Sequence, residues 1–249
     1  MKALVTGASS GIGRDIARYL SQLGYDIIAV ARDGQALNKL KEELNTKVEI
    51  ISIDLKDEEA CKSLYESVKN KKIDILINNA GFGDFGDFVD TNLDKELEMI
   101  DVNIKAVHIL TKLFLKDMVK RNTGYILNVA SIAGFMPGPL MATYYSTKAY
   151  VVRLTQSIYT ELKKKKSKVK ISVLCPGPVN TNFNQVANVK FNLKGLSSEY
   201  VAKYGIDNML KGKLIIIPGI KIKIARFLAK ISPEKLVSRI SMKMQERKR

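Results

Sequence analysis

Ser131, Tyr144 and Lys148 are the residues whose types and spacing best suit chemistry, in the stretch SIAGFMPGPLMATYYSTK at 131–148. Leu154, Ile158 and Leu162 continue beyond it at helical spacing, so its end reads as helix. Positions four apart on a helix share one face, with Cβ atoms about 5–6 Å apart. A phenol would then stand beside an ammonium, and a strand end at Ser131 would bring a hydroxyl to both. That set suits proton transfer to or from an alcohol or carbonyl oxygen. A free phenol titrates near 10; a fixed ammonium nearby is expected to lower it. The serine hydroxyl can hold the reacting oxygen. Tyr145, three before Lys148, points elsewhere on the helix. A core tyrosine and a solvated lysine would give the same spacing, so the elements around the pair must decide.

Those elements alternate strand and helix. An apolar strand at 2–6 runs into Gly7, Ser9, Ser10, Gly11, Ile12 and Gly13, followed by a helix carrying Ile16, Ala17 and Leu20 on one side. Glycines let the backbone come close to a dinucleotide pyrophosphate, and the amides at a helix start receive its charge. The spacing is G-x-x-x-G-x-G rather than the commoner G-x-G-x-x-G. A buried parallel-type strand at 25–31 ends at Arg32. An acidic residue there would bind the adenosine ribose diol, and an arginine would take a 2′-phosphate. Arg32 thus favours NADP(H), with NAD(H) as the alternative. Asp33 is either the acid displaced by one position or the cap of a helix bearing Leu37, Leu40 and Leu44.

A third strand at 48–53 ends in Asp54 and Leu55, and a helix at 58–70 leads to a fourth at 73–77. Asn78, Asn79, Ala80 and Gly81 follow. Small residues there would admit a cofactor, and asparagine amides could bridge neighbouring strands. The pattern predicts an α/β fold, a Rossmann-type doubly wound parallel sheet in three layers. It would be one domain over 1–249 with a basic helical extension at about 219–249.

The chain resembles the short-chain dehydrogenase/reductase family to about residue 217. The matching pieces are the glycine turn from Thr6 to Gly13, Asn78-Asn-Ala-Gly81, Ser131, Tyr144-x-x-x-Lys148 and Pro176-Gly177-Pro178, in the family's order and spacing. The resemblance implies hydride transfer between a nicotinamide and a small carbonyl or secondary alcohol, with Ser131, Tyr144 and Lys148 catalytic. It implies that Asn103, in a long helix at 93–121, holds a water relaying protons to Lys148, and that Lys148 binds the nicotinamide ribose. Pro176, Gly177, Val179 and Thr181 would lie against the nicotinamide. Residues 182–198 match a variable substrate loop, and Phe135, Met136, Leu140 and Phe183 point to an apolar substrate. A homodimer or homotetramer through the two long helices is also implied. The rival reading is a dinucleotide-binding regulatory protein without turnover.

No run of 249 residues reaches the roughly 18 apolar residues that span a bilayer, and the first residues lead into a strand rather than a signal peptide. Cys61 and Cys175 provide neither a metal cluster nor a disulfide framework, so no metal is expected and a cytoplasmic setting is. The single histidine, His108, argues against a Ser-His-Asp site. Net charge is +16, yet no nucleic-acid-binding module is recognisable. Residues 211–249 carry twelve Lys/Arg against two Glu. Ile224, Phe227, Leu228 and Ile231 form one helical stripe there; Leu236, Val237, Ile240 and Met244 form a second. Lysines and arginines lie opposite both. Packing within the protein or its oligomer, cover over the substrate loop, and contact with an anionic membrane all fit such helices.

Overall fold

The computed structural model describes residues 1–181, 183, 187 and 195–247. Strand and helix alternate through β1 (Lys2–Thr6), α1 (Gly11–Gln22), β2 (Asp26–Ala31), α2 (Gly34–Glu43), β3 (Val48–Ser52), α3 (Glu58–Val68) and β4 (Ile75–Asn78). Next come α4 (Leu93–Ile100), a π-helical segment (Asp101–Ala106), α5 (Val107–Lys120), β5 (Tyr125–Val129), α6 (Ala142–Lys164) and β6 (Lys170–Leu174). A short pair, β7 (Val179–Asn180) and β8 (Leu196–Ser197), precedes α7 (Ser198–Leu210), β9 (Ile215–Ile216), α8 (Ile220–Ile231) and α9 (Glu234–Glu246).

The central sheet has seven parallel strands in the order β3-β2-β1-β4-β5-β6-β9. Its strands are apolar almost without break because helices cover both faces. Alternate side chains divide between those faces. Ala3, Val5, Ile27, Ile75 and Ile77 pack with α1, α2 and α7 through Ile16, Leu20, Leu37 and Ile206. Leu4, Ile28, Leu76, Ile126 and Ile171 pack with α3, α5 and α6 through Leu64, Phe114 and Leu162. This is the three-layer Rossmann-type arrangement expected from the sequence.

The order reverses between β1 and β4, which opens a crevice beyond their carboxyl ends. Hydrogen bonds close its floor. Thr6 Oγ1 accepts from the amides of Asn79 at 2.9 Å and Ala80 at 3.1 Å. Asn79 Nδ2 donates to the carbonyls of Thr6 at 3.0 Å and Gly7 at 3.2 Å, the bridge between strands expected of this motif. Asn78 turns the other way, into a buried polar cluster: its Nδ2 donates to Thr111 Oγ1 and Asn128 Oδ1.

The helix expected over 93–121 is not one regular α-helix. It passes through the π segment, which contains Asn103, between α4 and α5.

Candidate active site

A cleft of about 1180 Å³ runs along the crevice. Every residue singled out above for cofactor binding lines it except Gly13, and so do Ser131, Tyr144 and Lys148. Gly13 lies beneath the turn instead. A Cβ there would stand 2.2 Å from the Gly7 carbonyl oxygen, so glycine is what lets α1 begin against the loop. Gly7 itself has φ +65°, and a Cβ on it would meet Asn79 Nδ2 at 2.8 Å. Ser10 precedes α1 without making a side-chain capping bond, which leaves the first amides of the helix available to an anion. This backbone cradle fits a dinucleotide pyrophosphate.

At the end of β2, Asp33 accepts from the Ala36 amide at 3.0 Å and caps α2, so its carboxylate already has a structural role. Arg32 is the group left at that strand end. Its side chain is 72% exposed, and its nearest acidic partner is Asp54 Oδ2 at 3.9 Å. A loosely held cation at this point suits a phosphate better than a neutral diol.

At the other end of the cleft, β5 delivers Ser131, whose Oγ accepts from the Ala133 amide at 3.1 Å. Helix α6 presents Tyr144 and Lys148 on one buried face. Lys148 Nζ donates to the Val129 carbonyl at 3.2 Å and lies 5.8 Å from the centroid of the Tyr144 ring. The electrostatics correct one expectation. Burial among Met99, Ala133 and Met141 raises the Tyr144 pKa well above its ordinary value, against a hydrogen bond with Ser131 that lowers it. Burial also takes Lys148 down from 10.5 to about 8. Desolvation therefore dominates at both groups, and the phenol keeps its proton at neutral pH.

Asn103 does not line the cleft; it is fully buried. Its Oδ1 accepts from the Phe82 amide at 3.1 Å, and its Nδ2 donates to the Phe82 carbonyl at 2.9 Å and to Thr147 Oγ1 at 3.0 Å. It thereby ties the loop after β4 to α6 at Thr147, the residue just before Lys148. A Cβ on Gly81 would meet Asn103 Oδ1 at 2.6 Å and Lys148 Nζ at 3.2 Å, so the three residues crowd one point. Most of the expected substrate loop, 182–198, lies outside the described residues. Phe183 is described, with its ring 5.3 Å from that of Tyr144; Phe135 packs instead under Arg226.

The sequence offered cover over the substrate loop as one of three places for the C-terminal stripes, without choosing among them. Ile222, Leu228, Val237, Ile240 and Met244 of α8 and α9 line the cleft. Gln245 Nε2 donates to Tyr145 Oη at 2.7 Å, fastening α9 to the residue beside Tyr144. The stripe of α9 was legible, but nothing local said that the core cleft was its partner.

The family profile described as short chain dehydrogenase matches residues 1–190. An uncharacterized oxidoreductase of Staphylococcus epidermidis is 38% identical over 181 residues, covering 72% of this chain and 78% of that one. A short-chain dehydrogenase from Sphingobium yanoikuyae in complex with NADPH superposes with a TM-score of 0.82 at 27% identity, over 94% of this chain and 96% of that one. A short-chain dehydrogenase/reductase from Burkholderia phymatum in complex with NAD superposes with a TM-score of 0.83 at 24% identity, over 91% of each chain. The last shows likeness of fold alone.

Proposed function

Because the chain belongs to the short-chain dehydrogenase/reductase family, a family of oxidoreductases, we propose that it moves a hydride between NADP(H) and a carbonyl or secondary-alcohol substrate. One observation carries the reading: a buried, protonated phenol, a serine hydroxyl and a buried lysine meet in the same cleft as a glycine turn suited to a pyrophosphate. Bound nicotinamide would give the hydride in reduction and take it in oxidation. In reduction, Ser131 Oγ–H holds the substrate oxygen and Tyr144 gives it a proton as negative charge develops there. A phenol whose pKa is raised is suited to that direction, because it arrives protonated. Lys148 would donate from its ammonium to the ribose hydroxyls of a bound cofactor. Asn103 retains one free lone pair on Oδ1 after its bond from Phe82, and this accepts the water that relays protons to Lys148.

Arg32 supports NADP(H) over NAD(H), since Asp33 is engaged in capping and the arginine is not held closely. The apolar roof and Phe183 support an apolar substrate. The whole chain would work as one domain in the cytoplasm, as a homodimer or homotetramer, without metal.

Tyr144→Phe is the decisive variant. It should bind NADPH as the parent does and lose turnover by at least about a hundredfold, the scale of a general acid. Wild-type rates on a good ketone would remove Tyr144 from the chemistry. Fluorescence titration with NADPH and NADH tests the cofactor reading. Tighter NADPH binding, lost in Arg32→Ala, is expected; a preference for NADH would refute it.

A further inference from the structure

We propose that the rim of the cleft formed by α8 and α9 docks on an anionic lipid bilayer and draws an apolar substrate from it. The docking stands on its own observations, and the substrate claim rests on the oxidoreductase reading above.

Helix α8 is apolar on its cleft-facing side, through Ile222, Ala225 and Leu228, and carries a second apolar stripe that faces solvent. Its protein-facing side is held partly by cations. The Arg226 guanidinium lies 4.3 Å above the Phe135 ring, and Lys223 Nζ donates to Tyr204 Oη at 3.1 Å. Ile222 also faces inward, where a Cβ on Gly177 would meet it at 2.7 Å. Ile220, Ile224, Phe227 and Ile231, one stripe of the helix, are each between 53% and 67% exposed. Helix α9 adds a second row, Leu236, Ile240 and Met244, each about half exposed. Beside that row run Lys235, Arg239, Lys243 and Arg247, all exposed. Leu228, Ile240 and Met244 also line the cleft, so the exposed apolar surface continues into it toward Tyr144.

Charge selects the occupant. Residues 211–249 carry twelve Lys/Arg against two Glu. In a two-fold contact a second copy would set this surface against itself and bring like charges together. An anionic bilayer offers the apolar depth and the negative charge at once. No helix among the described residues is long and apolar enough to cross a membrane, so the contact is peripheral. A ketone or alcohol dissolved in the bilayer would reach the cleft over hydrocarbon-like side chains without passing through water.

The test is sedimentation of the full chain with vesicles of phosphatidylcholine alone and of phosphatidylcholine with phosphatidylglycerol. Binding to the anionic vesicles only is expected. Ile224→Glu/Phe227→Glu, at exposed positions outside the cleft, should cut that binding about tenfold or more. Arg239→Glu/Lys243→Glu should abolish the preference for anionic lipid. Circular dichroism confirms that both variants are folded. With NADPH, the Ile224→Glu/Phe227→Glu chain should reduce a short water-soluble ketone at the parent rate and lose rate on a long-chain ketone held in vesicles. Absence of vesicle binding, equal binding to neutral vesicles, or parent-like binding by either variant overturns the docking. So does light scattering that shows a wild-type oligomer dispersed by the Ile224 and Phe227 changes, because the stripe is then an interface between copies. Vesicle binding without turnover of any carbonyl or alcohol would leave the docking in place and strike the oxidoreductase reading with its substrate claim.

Discussion

Lys148 is held at a thermodynamic disadvantage. Its ammonium is buried and donates to the Val129 carbonyl, and its pKa falls from 10.5 to about 8. At 1.36 kcal/mol per pKa unit, that is about 3 kcal/mol against the charged form in the folded state. The sign follows from linkage. A lysine whose folded pKa is depressed carries its full penalty below about pH 8, and the penalty fades as pH rises toward the unfolded value of 10.5. Lys148→Met should therefore be no less stable than the parent at pH 7, and the parent should gain relative to it between pH 8 and 9.5. Urea melts of both chains across that range check this; a variant strongly destabilised at pH 7 with no pH trend would contradict it. Activity should move the other way, because the methionine has no ammonium for the cofactor. In the parent, kcat/KM should fall as pH rises through about 8, since that ratio reports groups of the free enzyme. The residue pattern showed where Tyr144 and Lys148 sit. It did not show that burial would dominate at both groups, because desolvation depends on residues such as Met99 and Met141, brought in from distant elements.

Among the elements, the π segment at Asp101–Ala106 matters most to the site. Such segments insert a wide turn into a helix and often lie at functional positions. Here the segment carries Asn103, whose side chain bonds both backbone groups of Phe82. The sequence announces the helix on either side through its apolar period. The wide turn was not legible, since a short shift of phase is lost within a run that stays apolar around it. The strands were easier: β1 and β2 fall within a residue of the expected ranges, because two-sided burial leaves continuous apolar runs between polar turns. The crowding at Gly81 gives a prediction at this scale. Gly81→Ala puts a methyl 2.6 Å from Oδ1 of Asn103, whose side-chain amide three hydrogen bonds hold in place, and 3.2 Å from Lys148 Nζ. Overpacking of this kind costs about 1–3 kcal/mol. We expect a lower Tm together with a reduced kcat. Gly34→Ala, whose Cβ would make ordinary contact with Ser52 at 3.6 Å, should leave both unchanged. Equal behaviour of the two variants would show that Gly81 is not constrained by the lysine and asparagine.

For the molecule as a whole, the sheet and the C-terminal helices divide the labour along the cleft. The loops after β1, β2 and β3 line the end of the cleft proposed for the dinucleotide, while α8 and α9 line the end proposed for the substrate. The amphipathic character of both helices was legible in their periodicity, but their orientation was not. Local periodicity fixes which residues share a face, and only the rest of the fold fixes what that face meets. On α9, Val237, Ile240 and Met244 line the cleft as a covering helix should. On α8, Ile224, Phe227 and Ile231 turn outward while Ile222 seats against Gly177. A chain ending at Pro218 retains all seven strands of the central sheet, because β9 ends before the cut. It should keep the circular dichroism of an α/β fold and still bind NADPH, because Arg32 and the glycine turn proposed to hold the adenosine end lie outside α8 and α9. It should lose selectivity for apolar ketones. One well-packed apolar contact is worth about 1–3 kcal/mol in discrimination, and the cut removes several cleft-lining side chains at once. Measured as kcat/KM, the ratio between a long-chain and a short ketone should fall at least about tenfold from the full chain. An unchanged ratio in a folded, NADPH-binding truncation would show that specificity resides elsewhere, in the segment between β7 and β8 or in the loop after β4.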